Sequence, residues 1–405
     1  MMHAHNKKHV LLCCYYFEFG GNSTHTVSIG GALRRRGYKV GALVQEPFGE
    51  CYGDFVTQLD YVEIIRRGLE TRTQYLQRMV QRINSLQPSI IINSNVHFVQ
   101  AALPFLSDDC IRISAMHSIM KCELALCTSN CQFLDHIVTV SDNAKSLLER
   151  AGQGGDRIRT IPVAIEMNAG IVPREKPQLP LRLISVGRLS PEKDLAGIVS
   201  ILKLLAAGSV PFSISIVGTG PDLQSIRSKV ETSPFRRQVR FLGFRTQKEI
   251  RPLLQESDFF LLTSHYEGTP HAVLEAMAEG AVVLANRIPG STDKIITDGV
   301  DGFLCDRQRP ETYVSVLQRL LVQPSEFRAV SLAAQKVARS RYSLEAVVPQ
   351  YEALFWRRRP PVKKPAQRAS LPPELLPFCP GFLRQCAHRL GDLWRRCATN
   401  KRTVI

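Results

Sequence analysis

Residues 264–280 read Ser264-His-Tyr-Glu267-Gly-Thr-Pro-His-Ala-Val-Leu-Glu275-Ala-Met-Ala-Glu-Gly280, and they decide how the chain folds. The run before them, Asp258-Phe-Phe-Leu-Leu-Thr-Ser264, is short and apolar, as a buried strand would be. The run after Pro270 carries Ala, Val, Leu and Met at helical spacing, which predicts a helix from His271 to Glu279. Pro270 suits the first helical position, Thr269 can cap and Gly280 can end the helix. Glu267 then stands just before a helix N-terminus and Glu275 on its second turn. Free amides at such an end attract phosphate. Carboxylates on either side can accept hydrogen bonds from hydroxyls. A diphosphate between two polyols fits that pattern.

The stretch resembles the signature of the retaining glycosyltransferases of family 4, usually written E-G-x-P-x-x-x-x-E-A-M-A-x-G. Both glutamates, Gly268, Pro270, Ala276, Met277, Ala278 and Gly280 match it. The resemblance implies a GT-B fold, two doubly wound Rossmann-like domains facing across a cleft. It also implies a sugar-nucleotide donor, with Gly268, Thr269, Pro270, His271, Val273, Leu274 and Glu275 on the donor side and Glu267 at the donor sugar. Glu275 would bind the ribose hydroxyls.

Outward from this motif, strands and helices alternate in both directions, the pattern of α/β domains with parallel sheets. Leu181-Arg-Leu-Ile-Ser-Val186 reads as a strand running into Gly187-Arg188-Leu-Ser-Pro-Glu-Lys193. Such a turn can set two cations on one anion, and fixed positive charge favours a leaving diphosphate most in the transition state. The resembled family uses a G-R-x-x-x-x-K pattern in this way, which assigns Arg188 and Lys193. No D-x-D pair occurs in the sequence, in keeping with cationic side chains standing where other glycosyltransferases hold a metal. The expectation is therefore a metal-independent enzyme without a cofactor.

In the first part of the chain, His9–Tyr16 reads as a strand, followed by Gly20-Gly21, a helix and the strand Tyr38–Val44. The glycines allow close backbone approach to a ligand, and in the family such a pair faces the donor phosphates or the acceptor. The spacing is not that of a dinucleotide fingerprint. Arg112–Met116 reads as a strand ending at His117. The family places a histidine there, near the anomeric carbon. His117 takes that role, with His97 as the second candidate; His117 and Glu267 are the catalytic candidates. The family's Pro-Asn-Gly turn is here Pro162-Val-Ala-Ile-Glu166, so no role carries over to that loop.

The length of 405 residues calls for more than one core. The expected division is an acceptor-side domain at 1–168, a linker at 169–180 and a nucleotide-sugar domain at 181–341. A crossover helix at 342–358 and a basic tail at 359–405 follow. Residues 357–405 hold twelve Lys/Arg against two acids, so +10 of the net +16 lies there. Residues 382–397 form a basic amphipathic pattern with Trp394 and several leucines, which suits an anionic membrane surface. The tail lacks interleaved aromatic platforms, which argues against a nucleic-acid partner. No apolar run is long enough to span a bilayer. Eleven scattered cysteines fit reduced thiols of a cytoplasmic protein. Cys122, Cys127 and Cys131 lack zinc-ribbon or ferredoxin spacing, so no metal site is expected.

The expected function is transfer of a sugar from a nucleoside diphosphate to an acceptor hydroxyl with the anomeric configuration kept. The setting would be lipopolysaccharide, capsule or other lipid-linked glycan assembly at the cytoplasmic membrane face. A soluble acceptor, or a non-catalytic sugar-nucleotide-binding subunit, are the alternatives.

Overall fold

A computed structural model of the chain describes residues 8–16, 21–46, 52–168, 170–172 and 174–357. Gly20, the basic tail at 359–405 and its amphipathic stretch 382–397 lie outside the described residues. The first sheet has seven parallel strands: β1 (His9–Tyr16), β2 (Lys39–Glu46), β3 (Tyr61–Ile64), β4 (Ile90–Ser94), β5 (Ile111–Met116), β6 (His136–Thr139) and β7 (Ile158–Thr160). Their order is β3-β2-β1-β4-β5-β6-β7. The second has six: β8 (Leu181–Val186), β9 (Phe212–Val217), β10 (Val239–Gly243), β11 (Phe259–Leu262), β12 (Val282–Asn286) and β13 (Phe303–Cys305). These run β10-β9-β8-β11-β12-β13.

The central strands are largely apolar because both faces of a parallel sheet are covered by helices. Successive side chains serve opposite faces. Val10, Leu12 and Cys14 pack with the helix Gly21–Arg35, while Leu11 and Cys13 pack with the helix Arg72–Leu86. In the second sheet, Phe259 and Leu261 join the helix Leu195–Ala207. Phe260 and Leu262 face the helix His271–Ala278. The seven cysteines among the described residues form no disulfide with one another, and no described group of His, Cys, Asp or Glu is arranged to hold a metal. Among the described residues no helix is long and apolar enough to cross a membrane.

Two passages of chain connect the sheets. The first leaves β7 through residues 161–180. The second follows a π-helical turn at Ala338–Tyr342 into the helix Leu344–Leu354, which Ser343 caps by accepting from the Ala346 amide. That helix returns to the first sheet, where Leu344, Val347, Val348, Tyr351 and Leu354 complete the core under Val27, Ala32 and Leu33. The two passages touch, since the Ile165 amide donates to the Tyr342 carbonyl at 2.8 Å.

Asp258, fully buried at the start of β11, anchors the first passage to the second sheet. It accepts from Arg174 at 3.1 Å, from Arg182 at 3.0 Å and from the Arg182 amide at 3.0 Å. Asp258→Ala should cost the second sheet about 3 kcal/mol, the range for breaking a buried pair and stranding its partners. Its urea transition reads this directly; a loss under about 1 kcal/mol would show that the pair behaves like an exposed one.

Candidate active site

In an open parallel sheet, the crevice opens at the carboxyl ends of the strands where the strand order reverses. In the second sheet that point lies between β8 and β11. The loops leaving these two strands are Gly187–Asp194 and Thr263–Pro270, the two segments singled out in the sequence.

A chain of hydrogen bonds fixes both loops. Tyr313 donates to Asn286 Oδ1 at 2.6 Å, and the Asn286 amide donates to the carbonyls of Thr263 and Ser264 at 2.6 and 2.9 Å. The Thr263 hydroxyl reaches the carbonyls of Lys193 and Asp194 at 3.2 and 2.8 Å. Ser264 Oγ and Lys193 Nζ both donate to Glu267 Oε1, each at 2.6 Å. Glu267 is thus held against Lys193 with its side chain only 8% exposed. The anchoring roles of Thr263, Ser264, Asn286 and Tyr313 are not legible in the sequence. The one signal was a polar residue, Asn286, closing the apolar run of β12.

Arg188 is exposed just beyond β8. Burial would raise the Glu192 carboxyl, but the Ser190 hydroxyl and the charges of Arg188 and Lys193 hold it below the usual carboxylate range. Both cations therefore act on one small region. The loop after β9 presses onto this turn. A side chain on Gly218 would lie 1.9 Å from the Gly187 carbonyl oxygen, and one on Gly220 2.1 Å from that of Leu189. Only glycine permits that approach.

The helix His271–Ala278 departs from the expected cap. Pro270, with φ −73° and ψ 94°, occupies the capping position itself, and no side chain caps the end. Thr269 instead offers its carbonyl to His271 Nδ1 at 3.2 Å. The first amides to donate back within this helix are those of Val273 and Leu274, both to Pro270. Their side chains are fully buried in the second core. The helix turns these two side chains onto β11 and β12, so only their backbone faces towards the start of the helix. Glu275, one turn on, accepts from Gln247 at 3.0 Å, and burial pushes its carboxyl up to about 7.

The first sheet supplies the opposite wall. Beyond β5 the amides of His117 and Ser118 donate to the buried Glu123 carboxylate at 2.7 and 2.8 Å, and Asn95 donates to its other oxygen at 3.2 Å. A Cβ on Gly268 would lie 3.7 Å from the His117 carbonyl, so the two loops meet across the crevice. Gly21 begins the helix Gly21–Arg35, and a Cβ there would come within 2.5 Å of His271 Nδ1. His25, from the same helix, stacks edge-on to both His117 and His271, with ring centroids 5.8 and 6.4 Å away. Three imidazoles from both sheets thus share one buried space. His97, the second candidate, begins the helix His97–Ala102, and burial lowers its pKa.

Residues 172–337 match the family of glycosyl transferases group 1. That segment contains Arg188, Lys193, Glu267 and Glu275. The chain is 29% identical over 170 residues to the amylovoran biosynthesis glycosyltransferase AmsK of Erwinia amylovora, covering 40% of this chain and 42% of that one. It spans about half the length of the curated relatives it matches. Over the whole fold it is similar to Anabaena Alr3699/HepE, solved in complex with UDP and glucose. The TM-score is 0.70 at 16% identity, over 85% of this chain and 98% of that one. It is also similar to the apo form of the lipopolysaccharide outer core galactosyltransferase WaaB, with a TM-score of 0.66 at 14% identity, over 86% and 99%. The architecture is GT-B.

Proposed function

We propose that this protein is a retaining glycosyltransferase that moves a sugar from a nucleoside diphosphate to an acceptor hydroxyl. The observation that carries the reading is the switch-point crevice. Lys193 is hydrogen-bonded to Glu267 there, Arg188 is close by and Glu275 lies on the following helix. In this reading the ribose hydroxyls donate to Glu275. Arg188, Lys193 and the amides of Gly268, Thr269 and His271 hold the diphosphate and stabilise its charge as the glycosidic bond breaks. On substrate binding, Glu267 exchanges its internal partners for donor-sugar hydroxyls, and His117 orients the sugar from the opposite wall. The leaving phosphate takes the acceptor proton on the same face. In this reading Gly21 faces the donor phosphates or the acceptor. No metal or cofactor takes part.

The donor class is supported by HepE, solved with UDP and glucose. The names of AmsK and WaaB support a setting in exopolysaccharide or lipopolysaccharide assembly. The acceptor we propose is a glycan, lipid-linked, met at the cytoplasmic face of the membrane, with the basic stretch 382–397 on anionic lipid.

A thermal-shift panel of UDP, GDP and ADP tests the first step. One of the three should raise the melting temperature by several degrees at 100-fold excess over its Kd, a gain of about 2.7 kcal/mol. Turnover of the matching sugar donor, followed by proton NMR, should give a product with the donor's anomeric configuration. Inversion would refute the mechanism. Binding without turnover on the true acceptor would mark a non-catalytic subunit.

A further inference from the structure

The three buried histidines between the sheets are not equivalent. The Ala164 amide donates to His25 Nδ1 at 3.0 Å, so that nitrogen is the unprotonated one. His25 Nε2 therefore carries the proton and faces the Tyr351 hydroxyl at 3.3 Å. Both of its nitrogens are engaged. His271 has the opposite tautomer, because Nδ1 sits 3.2 Å from the Thr269 carbonyl and must donate to it. Its Nε2 is then a bare lone pair, buried and without a hydrogen-bond partner among the described residues. His117 has both ring nitrogens buried and unpartnered among the described residues.

Burial holds both His117 and His271 down to about 4, so each ring is neutral at physiological pH. Their free groups are thus two acceptors and one donor, with no charge. Buried polar groups left unpaired are costly, and the partners that suit this set are hydroxyls, which both donate and accept. A carboxylate cannot donate to the His271 lone pair, and no cation on that ring offsets its desolvation.

Resting on the glycosyltransferase reading above, we propose that the His271 imidazole is a specificity-determining contact. Its Nε2 accepts a hydrogen bond from a hydroxyl of a neutral donor sugar and excludes a sugar bearing a carboxylate at that position. His271 belongs to the nucleotide-side motif, one residue after Pro270, which places the hydroxyl on the donor. Gly21 leaves the room for the ring to stand there. His25, fixed by Ala164 and Tyr351, packs against it as a positioning residue.

The test is equilibrium binding of UDP, GDP and ADP, then of the glucose, galactose, N-acetylglucosamine and glucuronate esters of whichever binds. Wild type, His271→Leu and His271→Asn are compared. The expected result is that wild type takes a neutral ester and rejects the glucuronate. His271→Leu should weaken that ester about fivefold to tenfold relative to the bare diphosphate. His271→Asn, which keeps an acceptor oxygen, should restore most of it. An unchanged ester-to-diphosphate ratio in His271→Leu, preference of wild type for the glucuronate, or an effect confined to the acceptor KM would each overturn the proposal. Those outcomes leave the nucleotide site intact. Failure of every diphosphate to bind wild type would instead sink the glycosyltransferase reading, and this proposal with it.

Discussion

Replacing Glu275 with glutamine is expected to abolish nucleotide binding while making the ligand-free protein more stable above pH 7. The carboxyl is pushed up to about 7 by burial, against an ordinary value of 4.5. A folded-state value above the unfolded one means that the proton binds more tightly in the native protein. The associated stability is complete below the ordinary value and is lost as pH rises through about 7. At pH 8 the empty protein therefore carries an ionised, desolvated carboxylate at a cost of up to about 3 kcal/mol. Glutamine has the same shape, can still pair with Gln247 and never ionises. Scanning calorimetry at pH 5 and pH 8 should show near-equal melting temperatures at the lower pH and a more stable variant at the higher. Two ribose hydroxyls donating to a carboxylate are each worth about 1.5–3 kcal/mol, so the variant should bind at least 100-fold more weakly. Wild-type affinity should climb as pH rises towards about 7 and then level off, because only the ionised form accepts both bonds. A variant less stable than wild type at pH 8, or one that keeps its nucleotide affinity, would remove Glu275 from this role.

The largest loss of turnover is expected from Lys193→Met. In the resting protein this ammonium is hydrogen-bonded to Glu267 at 2.6 Å. Part of its charge is already committed before substrate arrives. Its contribution should grow as the leaving diphosphate gains charge, so kcat should fall about 100- to 1000-fold, the range for removing one preorganised electrostatic group. The diphosphate Kd should change less than tenfold, since ground-state binding is shared with Arg188 and the amides after Gly268. Glu267→Gln frees the ammonium and removes a sugar contact. The two changes share one hydrogen bond and should be non-additive by about 0.5–3 kcal/mol in a double-mutant cycle on kcat/KM. A kcat within tenfold of wild type in Lys193→Met, or strict additivity, would mean that the pair serves stability alone.

How much of this could be read from the sequence depended on distance along the chain. β1 and β11 are runs of mostly apolar residues covered on both faces, and such runs announce themselves. β3 escaped notice because Tyr61-Val-Glu-Ile64 is an edge strand with Glu63 in its middle and only partial burial. β13 has three residues, too few for any period. The two glutamates, Arg188 and Lys193 stood out because a compact motif holds them in fixed local order. What holds Glu267 did not: Lys193 is 74 residues away, and Asn286 and Tyr313 act through carbonyls. The helix start misled because a Thr-Pro pair fits a capped first turn equally well. Only the observed dihedrals move Pro270 outward to the cap. His25 looked like one more residue in an apolar helix, since its partners Ala164 and Tyr351 lie 139 and 326 positions away.

The helix Leu344–Leu354 closes the core of a sheet whose first strand begins more than 330 residues earlier. On a ribosome, β1 to β7 emerge long before the apolar surface that is to cover Val27, Ala32 and Leu33. At about 5–20 residues per second, tens of seconds separate the two events. Through that interval the amino-terminal half must wait with part of one face uncovered, while the second sheet, from β8 onward, gathers its own helices and is finished first. The half made first is thus completed last, and a nascent chain halted before residue 344 should be the species that chaperones hold.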